Sequence, residues 1–247
     1  MTSPPRHAAE AALVDALDRA QVLHAARRGD PPLARALDAL ADWQARRLAA
    51  TYADLAAQPR YADAIVFFQT DLYGSVDYAR RDADVARVVP MMVAMLPERV
   101  IATIADAMRL NVLSHELDRV LLAHLPDRER FTVARYCGAY RRTGRFVERE
   151  RQIATIGDVG RALDVFVRKP LIRTALAMMR GPARVAGFGV LHDFLDRGFN
   201  AFHRMSGAEE FLATIDARER AVHQAIVAGS DAPFADPGPA SGAAASR

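Results

Sequence analysis

Apolar positions recur at three- and four-residue intervals along most of the chain, the spacing that gathers side chains on one face of an α-helix. Leu13, Leu17 and Ala20 mark the inner face of a first helix, predicted over residues 8–28 and ended by Gly29. Asp30 with Pro31 and Pro32 restarts the chain. A capping carboxylate stands there ahead of prolines that need no amide partner in a first turn. The next helix is predicted to reach about Ala57, burying Leu33, Leu37 and Leu40 with Trp43 and Leu48 beside them, until Gln58-Pro59 breaks it. Between Pro97 and Leu125 the apolar spacing holds longest, through Ile101, Ile104, Ala105, Met108, Val112, Leu113, Leu117, Val120 and Leu121. A helix of that length spans about 42 Å.

Pro126-Asp127 separates this helix from an arginine-rich one predicted over 128–142, and Thr143-Gly144 makes the following turn. Residues 145–168 read as helical, with interruptions expected at Gly157 and Gly160. Pro170 opens a short helix to Met179, and Gly181-Pro182 opens another to about Met205. Ser206, with Glu209 three residues on, has the form of a capping box for a last helix to Ala228. No segment alternates as a strand would. The expected fold is an all-α bundle of about eight to ten helices without β-sheet. The expected limits are a disordered N-terminus at 1–6, one all-helical domain over 7–228, and a Gly/Pro/Ala/Ser tail at 229–247 without fixed structure.

The stretch from Tyr61 to Pro97 holds the densest aromatic cluster. Tyr61, Ile65, Phe68 and Leu72 form a stripe that Phe67 widens. Gly74 is placed to stop that helix and Asp77 to cap the next. Asp77 and Arg81, and Arg80 and Asp84, stand four apart as surface pairs. Val85, Val88, Met92 and Leu96 form the buried side, which Pro90 kinks or ends.

The motif Phe67-Phe68-Gln69-Thr70-Asp71-Leu72-Tyr73 resembles that of bacterial proteins named for an FFLEELY sequence, a domain of unknown function. Gln69, Thr70 and Asp71 depart from the name-giving letters, and only Asp71 keeps an acid. The likeness continues through Arg81-Asp82, Pro90 and Leu96-Pro97. It resumes at Met179-Arg180-Gly181-Pro182-Ala183, Phe194-Leu195 and Gly198-Phe199, covering residues 61–222. The resemblance implies a helical fold and no mechanism.

Composition narrows the setting. The single cysteine, Cys137, excludes an internal disulfide and fits a reducing compartment. The N-terminus lacks the unbroken apolar core of a signal peptide, and the longest uncharged apolar run, residues 88–97, is too short for a bilayer. A cytoplasmic protein is expected. Of the basic residues only Lys169 is lysine, which codon bias toward arginine explains. It does not explain their clustering. Residues 128–184 carry 14 basic and 5 acidic side chains, whereas 1–127 carry 14 and 17, and 185–247 carry 5 and 8.

That region holds the principal binding candidates. Arg128, Arg135 and Arg142 repeat every seven residues as a slowly drifting stripe, with Tyr136 and Tyr140 beside it and Arg145 and Arg149 beyond. Arginine and aromatic groups together bind phosphates and stack bases. The opposing reading is that Glu129, Glu148, Glu150 and Asp158 neutralise these arginines within the chain.

Elsewhere, His192, Asp196 and His203 share one helix face and could ligate a transition metal, or haem through one histidine. Phe188, Leu195, Phe199 and Phe202 crowd alongside, so the histidines can equally border the core. His115, Glu116 and Asp118 point to different faces and form no paired acid–base site, and His124 lies opposite His115. Cys137 could be activated by Arg135, Arg141 and Arg142 or serve as a small buried residue. Ala183, Ala186, Gly187 and Gly189 make a smooth surface for close packing or a small cavity. Met91, Met92, Met95, Met178 and Met179 read as adaptable core fillers.

No nucleophile elbow, phosphate loop or dinucleotide fingerprint is present. The expectation is a non-catalytic binding module for an anionic ligand or nucleic acid, with no cofactor predicted and self-association left open. The alternative is a helical enzyme or redox protein with a metal or haem site at His192, Asp196 and His203.

Overall fold

Capping chemistry sets the first helices. In the computed structural model, which describes residues 6–72, 86–87 and 96–238, α1 spans Arg6–Arg28 and α2 spans Pro31–Thr51. Asp30 accepts the amide proton of Leu33 at 2.9 Å, ahead of the two prolines. The chain pauses at Tyr52 before a single turn, α3 (Ala53–Ala56), and resumes as α4 (Ala62–Phe67). Phe68–Leu72 then widens into a π-helical turn.

The long α5 (Glu98–Ala123) follows, then α6 (Val133–Thr143), α7 (Phe146–Val167), α8 (Pro170–Val185), α9 (Gly189–Met205) and α10 (Glu209–Val227). The described residues thus form ten α-helices and no strand, an all-α multi-helical fold. None of these helices is long and apolar enough to cross a membrane.

Three apolar clusters hold the helices together. Leu13, Leu17 and Ala20 of α1 lie along Ile101, Ala105 and Met108 of α5. Phe67 of α4 joins Phe199 and Phe202 of α9 and Phe211 and Leu212 of α10. Leu37, Leu40 and Trp43 of α2 meet Leu121 and Leu122 of α5, Val133 and Cys137 of α6, and Ile226 of α10. Each fully buried side chain of this size contributes ~1.5–3 kcal/mol.

Several boundaries differ from expectation. α6 begins only at Val133, capped by the Thr132 hydroxyl, which accepts from the Arg135 amide at 3.3 Å. Before it, the Asp127 carboxylate takes the Glu129 and Arg130 amides, each at 2.9 Å, and turns the chain. Helix α7 is continuous through Gly157 and Gly160. Gly160 serves packing, for a Cβ there would lie 2.5 Å from Leu212 Cδ2.

Helix α8 likewise runs through Gly181-Pro182 to Val185, and the chain turns at Gly187, whose φ of 82° suits glycine. Gly187 therefore makes a turn, and no neighbour comes close to it. Met178 and Met179, read as core, are exposed. Ser206 closes α9 in a left-handed conformation and does not cap α10. The amide before α10, that of Ala208, is instead satisfied at 3.1 Å by Asp164 from α7.

Around the aromatic motif, Phe67 is buried while Phe68 is half-buried, because the π-turn shifts the helical register there. Asp71 and Leu72 close that turn. The expected corner at Gly74 and Asp77, with Tyr73, Arg80 to Val85, Val88, Pro90, Met91, Met92 and Met95, lies outside the described residues. So do residues 1–5 and 239–247. The first part of the compositional tail returns to the body. Arg141 holds the Ser230 carbonyl at 2.9 Å, and the Phe234 ring lies 5.9 Å from that of Trp43.

Candidate functional site

The arginine-rich region divides into an inner and an outer set. Tyr136, Tyr140 and Arg149 turn inward, which removes the aromatic part of the expected surface stripe. The reason is amphipathicity: Val133, Tyr136, Cys137 and Tyr140 share the face of α6 that packs on α2 and α10. Tyr136 stacks on Trp43 with ring centroids 4.6 Å apart. The Tyr140 hydroxyl pairs with His223 Nδ1 at 2.7 Å, and Arg149 lies over the Tyr140 ring at 5.1 Å.

Arg149 Nη1 donates to Gln152 at 3.1 Å, whose amide donates to Ser114 at 2.7 Å. Its Nη2 makes no hydrogen bond and stands 4.0 Å from Asp118, which Gln44 also holds at 3.0 Å. Beside them Arg47 Nη1 grips both oxygens of Glu219, at 2.7 and 2.9 Å, and Tyr52 donates to the same carboxylate at 2.5 Å. Sequence reasoning assigned no role to Arg47, Glu219 or His223, whose pairings span up to 172 positions and leave no local signal.

Burial raises the pKa values of Tyr136 and Tyr140 and keeps both hydroxyls protonated. It also lowers that of His223, only partly opposed by Glu150 at 3.6 Å. Apart from Arg149 Nη2, the arrangement is one of paired structural groups. Cys137 belongs to the same interior. Burial pushes its thiol up to about 11 despite Arg141, which favours the small buried residue over the activated thiolate of the two readings.

The outer set is different. Arg128 and Arg130 sit in the turn before α6, and Arg135 in its first turn, all exposed. None makes an ion pair among the described residues. Arg128 precedes the helix, so the seven-residue repeat is not a helical stripe along its whole length. Arg142, at the far end, donates to the His124 carbonyl at 2.8 Å. Its guanidinium folds back over Gly138, with Nη1 3.3 Å from where a Cβ would stand.

The four acids expected to neutralise the region divide, two turning outside it and two pairing within it. Glu129 turns to Arg35 at 3.5 Å, Glu150 faces His223, and Asp158 holds Arg161 at 2.6 Å. Only Glu148 takes one of the candidates, Arg145, at 2.7 Å.

The residues considered for a metal are not brought together. His192 Nε2 donates to the Leu176 carbonyl at 2.8 Å, Asp196 receives Arg180 at 2.9 Å, and His203 stacks on Phe199. Among the described residues no three His, Cys, Asp or Glu side chains are grouped to hold a metal ion. Glu116 is engaged by Arg19 at 2.7 Å, and His115 meets His24 edge-on at 5.9 Å.

Comparison with known proteins gives one match. The family model described as a domain of unknown function (DUF8198) matches residues 23–233, and the chain belongs to that family. No curated protein matches, and no solved structure matches.

Proposed function

We propose that this family member is a non-catalytic interaction module that meets an extended polyanion, such as the phosphate backbone of a nucleic acid. Arg128, Arg130 and Arg135 provide the contact, with Arg142 at its margin. The observation that carries this reading is the absence of ion pairs at those first three groups among the described residues. Most arginines nearby do have carbonyl or carboxylate partners. Arg141 has Asp231, Arg161 has Asp158, Arg180 has Asp196 and Arg184 has Asp193.

Position adds to the argument. The three cations gather at the N-terminal end of α6, which has no acidic residue in its first turn. That end carries the positive pole of the helix dipole, where a cation is unfavourable by ~0.3–1 kcal/mol. The Glu129 and Arg130 amides, and then the charges of Arg130 and Arg135, hold the Asp127 carboxyl below its usual range, so part of this charge is balanced within the chain; an arriving anion would be held by both the side chains and the dipole. Tyr136 and Tyr140 are buried, so contact would be by charge, without base stacking.

A cytoplasmic, bacterial setting and kinship with the FFLEELY-motif proteins are part of the same proposal. They are supported by the single cysteine and the match at Phe67, Phe68, Leu72 and Tyr73.

The test replaces Arg128, Arg130 and Arg135 together by Gln, which keeps helix propensity. Binding of a fluorescent oligothymidylate at low salt should fall at least tenfold while the melting temperature holds. An unchanged affinity, or a parent protein that binds no polyanion, contradicts the proposal.

A further inference from the structure

A second site lies away from α6. Where α7 gives way to α8, against the end of α9, a groove of about 650 Å³ opens between Val167, Arg168, Arg173, Thr174, Met178 and His203. Its chemistry is mixed in an ordered way. Arg173 is exposed and makes no ion pair among the described residues. Helix α8 carries no acidic residue that could supply one. Arg168 is tied to Asp164, whose other oxygen takes the Ala208 amide, so this wall is held in place. His203 lies parallel to the Phe199 ring, its centroid 5.9 Å away, which fixes the plane it presents.

The same lining is also partly apolar, with Val167, Pro170, Ala177 and Met178. Met178 is 73% exposed, on the outer side of a helix whose inward face, Ile172 and Leu176, is packed and whose Leu171 and Val185 are exposed as well. Arg173, unneutralised among the described residues, stands with the Thr174 hydroxyl and the Met178 thioether on α8, and the His203 imidazole comes from α9; together they match a ligand of two parts. One part bears a negative charge that a guanidinium can grip in fork geometry. The other is a short hydrocarbon that covers Met178 and Val167.

We propose that this groove binds a small amphipathic organic anion, a carboxylate or phosphate ester with an apolar body, with Arg173 as the principal charge contact. The site is separate from the polyanion surface. Its residues come from α8, from the end of α9 and from the link between α7 and α8, and it shares none with the α6 arginines.

Methionine methyl groups labelled with carbon-13 give a direct readout, with the Met178 signal assigned by Met178→Leu. Titrating octanoate into the full chain should move the Met178 resonance saturably. Octanol, with the same chain and no charge, should bind about tenfold more weakly. Arg173→Gln should weaken octanoate by a similar factor with no change in melting temperature, since Arg173 has no ion pair among the described residues. Arg128, Arg130 and Arg135 replaced by Gln should leave octanoate binding unaltered.

Equal affinity for octanol and octanoate would overturn the proposal by reducing the groove to a greasy surface. So would an unmoved Met178 resonance at millimolar octanoate. Loss of octanoate binding in the α6 variant would also overturn it, because the two sites would then not be separate.

Discussion

At the level of single residues, the interior polar pairs set the sensitivity of the protein to substitution and pH. Tyr140 and His223 satisfy one another at 2.7 Å in a buried setting. Removing the hydroxyl in Tyr140→Phe leaves the His223 ring nitrogen without its partner. That should cost ~1–3 kcal/mol in a urea melt at neutral pH.

The depressed pKa of His223 adds a pH dependence of definite sign. Above the ordinary histidine value of about 6.5 both folded and unfolded forms are neutral there, and its contribution is fully present. As pH falls below that value the unfolded chain takes up the proton first, so stability declines until the folded form is protonated too. Melts from pH 7 to pH 5 should show that decline, and His223→Gln should flatten it. Cys137 gives a second check. With its thiol at about 11 and no exposed surface, it should resist alkylation at pH 8 until the protein unfolds.

Between elements, a tight contact is that of α7 with α10 at Gly160 and Leu212. The clash that a Cβ would make with a 1%-exposed leucine cannot be relieved at the free end of a mobile chain. Gly160→Ala should therefore destabilise by ~1–3 kcal/mol. Gly181→Ala, on exposed α8 with no atom of the described residues within 4 Å of the added Cβ, should be neutral or stabilise by up to ~1 kcal/mol. Thermal melts of the two variants separate packing from propensity.

Much of this level could be read from the pattern of residues. Asp30 with its prolines, Gly29, Gly144 and the long run from Ile101 to Leu121 announce elements that the structure contains. What could not be read depended on distant partners. Ser206 and Glu209 look like a capping box, yet the cap comes from Asp164 on another helix. Gly160 looks like a break until Leu212 is brought against it. Gly181-Pro182 looks like a boundary, but the chain turns only at Gly187, where a positive φ is available.

Across the whole molecule, the uneven charge along the chain separates in space. Tyr136, Tyr140 and Arg149 line an interior network, whereas Arg128, Arg130 and Arg135 remain outside at the head of α6. The concentration of arginine at 128–184 was visible in the sequence. Its division was not, because a stripe of seven-residue spacing assumes a helix that begins only at Val133. The residues considered for a metal have other partners in the structure. Sharing a helix face put His192 near Asp196 in projection, but the carbonyl of Leu176 and the guanidinium of Arg180 occupy them.

The most direct measurement of the central claim is the salt dependence of oligothymidylate binding by the parent chain. Four arginines displacing counterions from a single strand predict that log K falls with log [salt] at a slope of about −3. The variant lacking Arg128, Arg130 and Arg135 should retain a slope of about −1 or no measurable binding. Binding that is insensitive to salt, or a slope unchanged in that variant, would contradict the account.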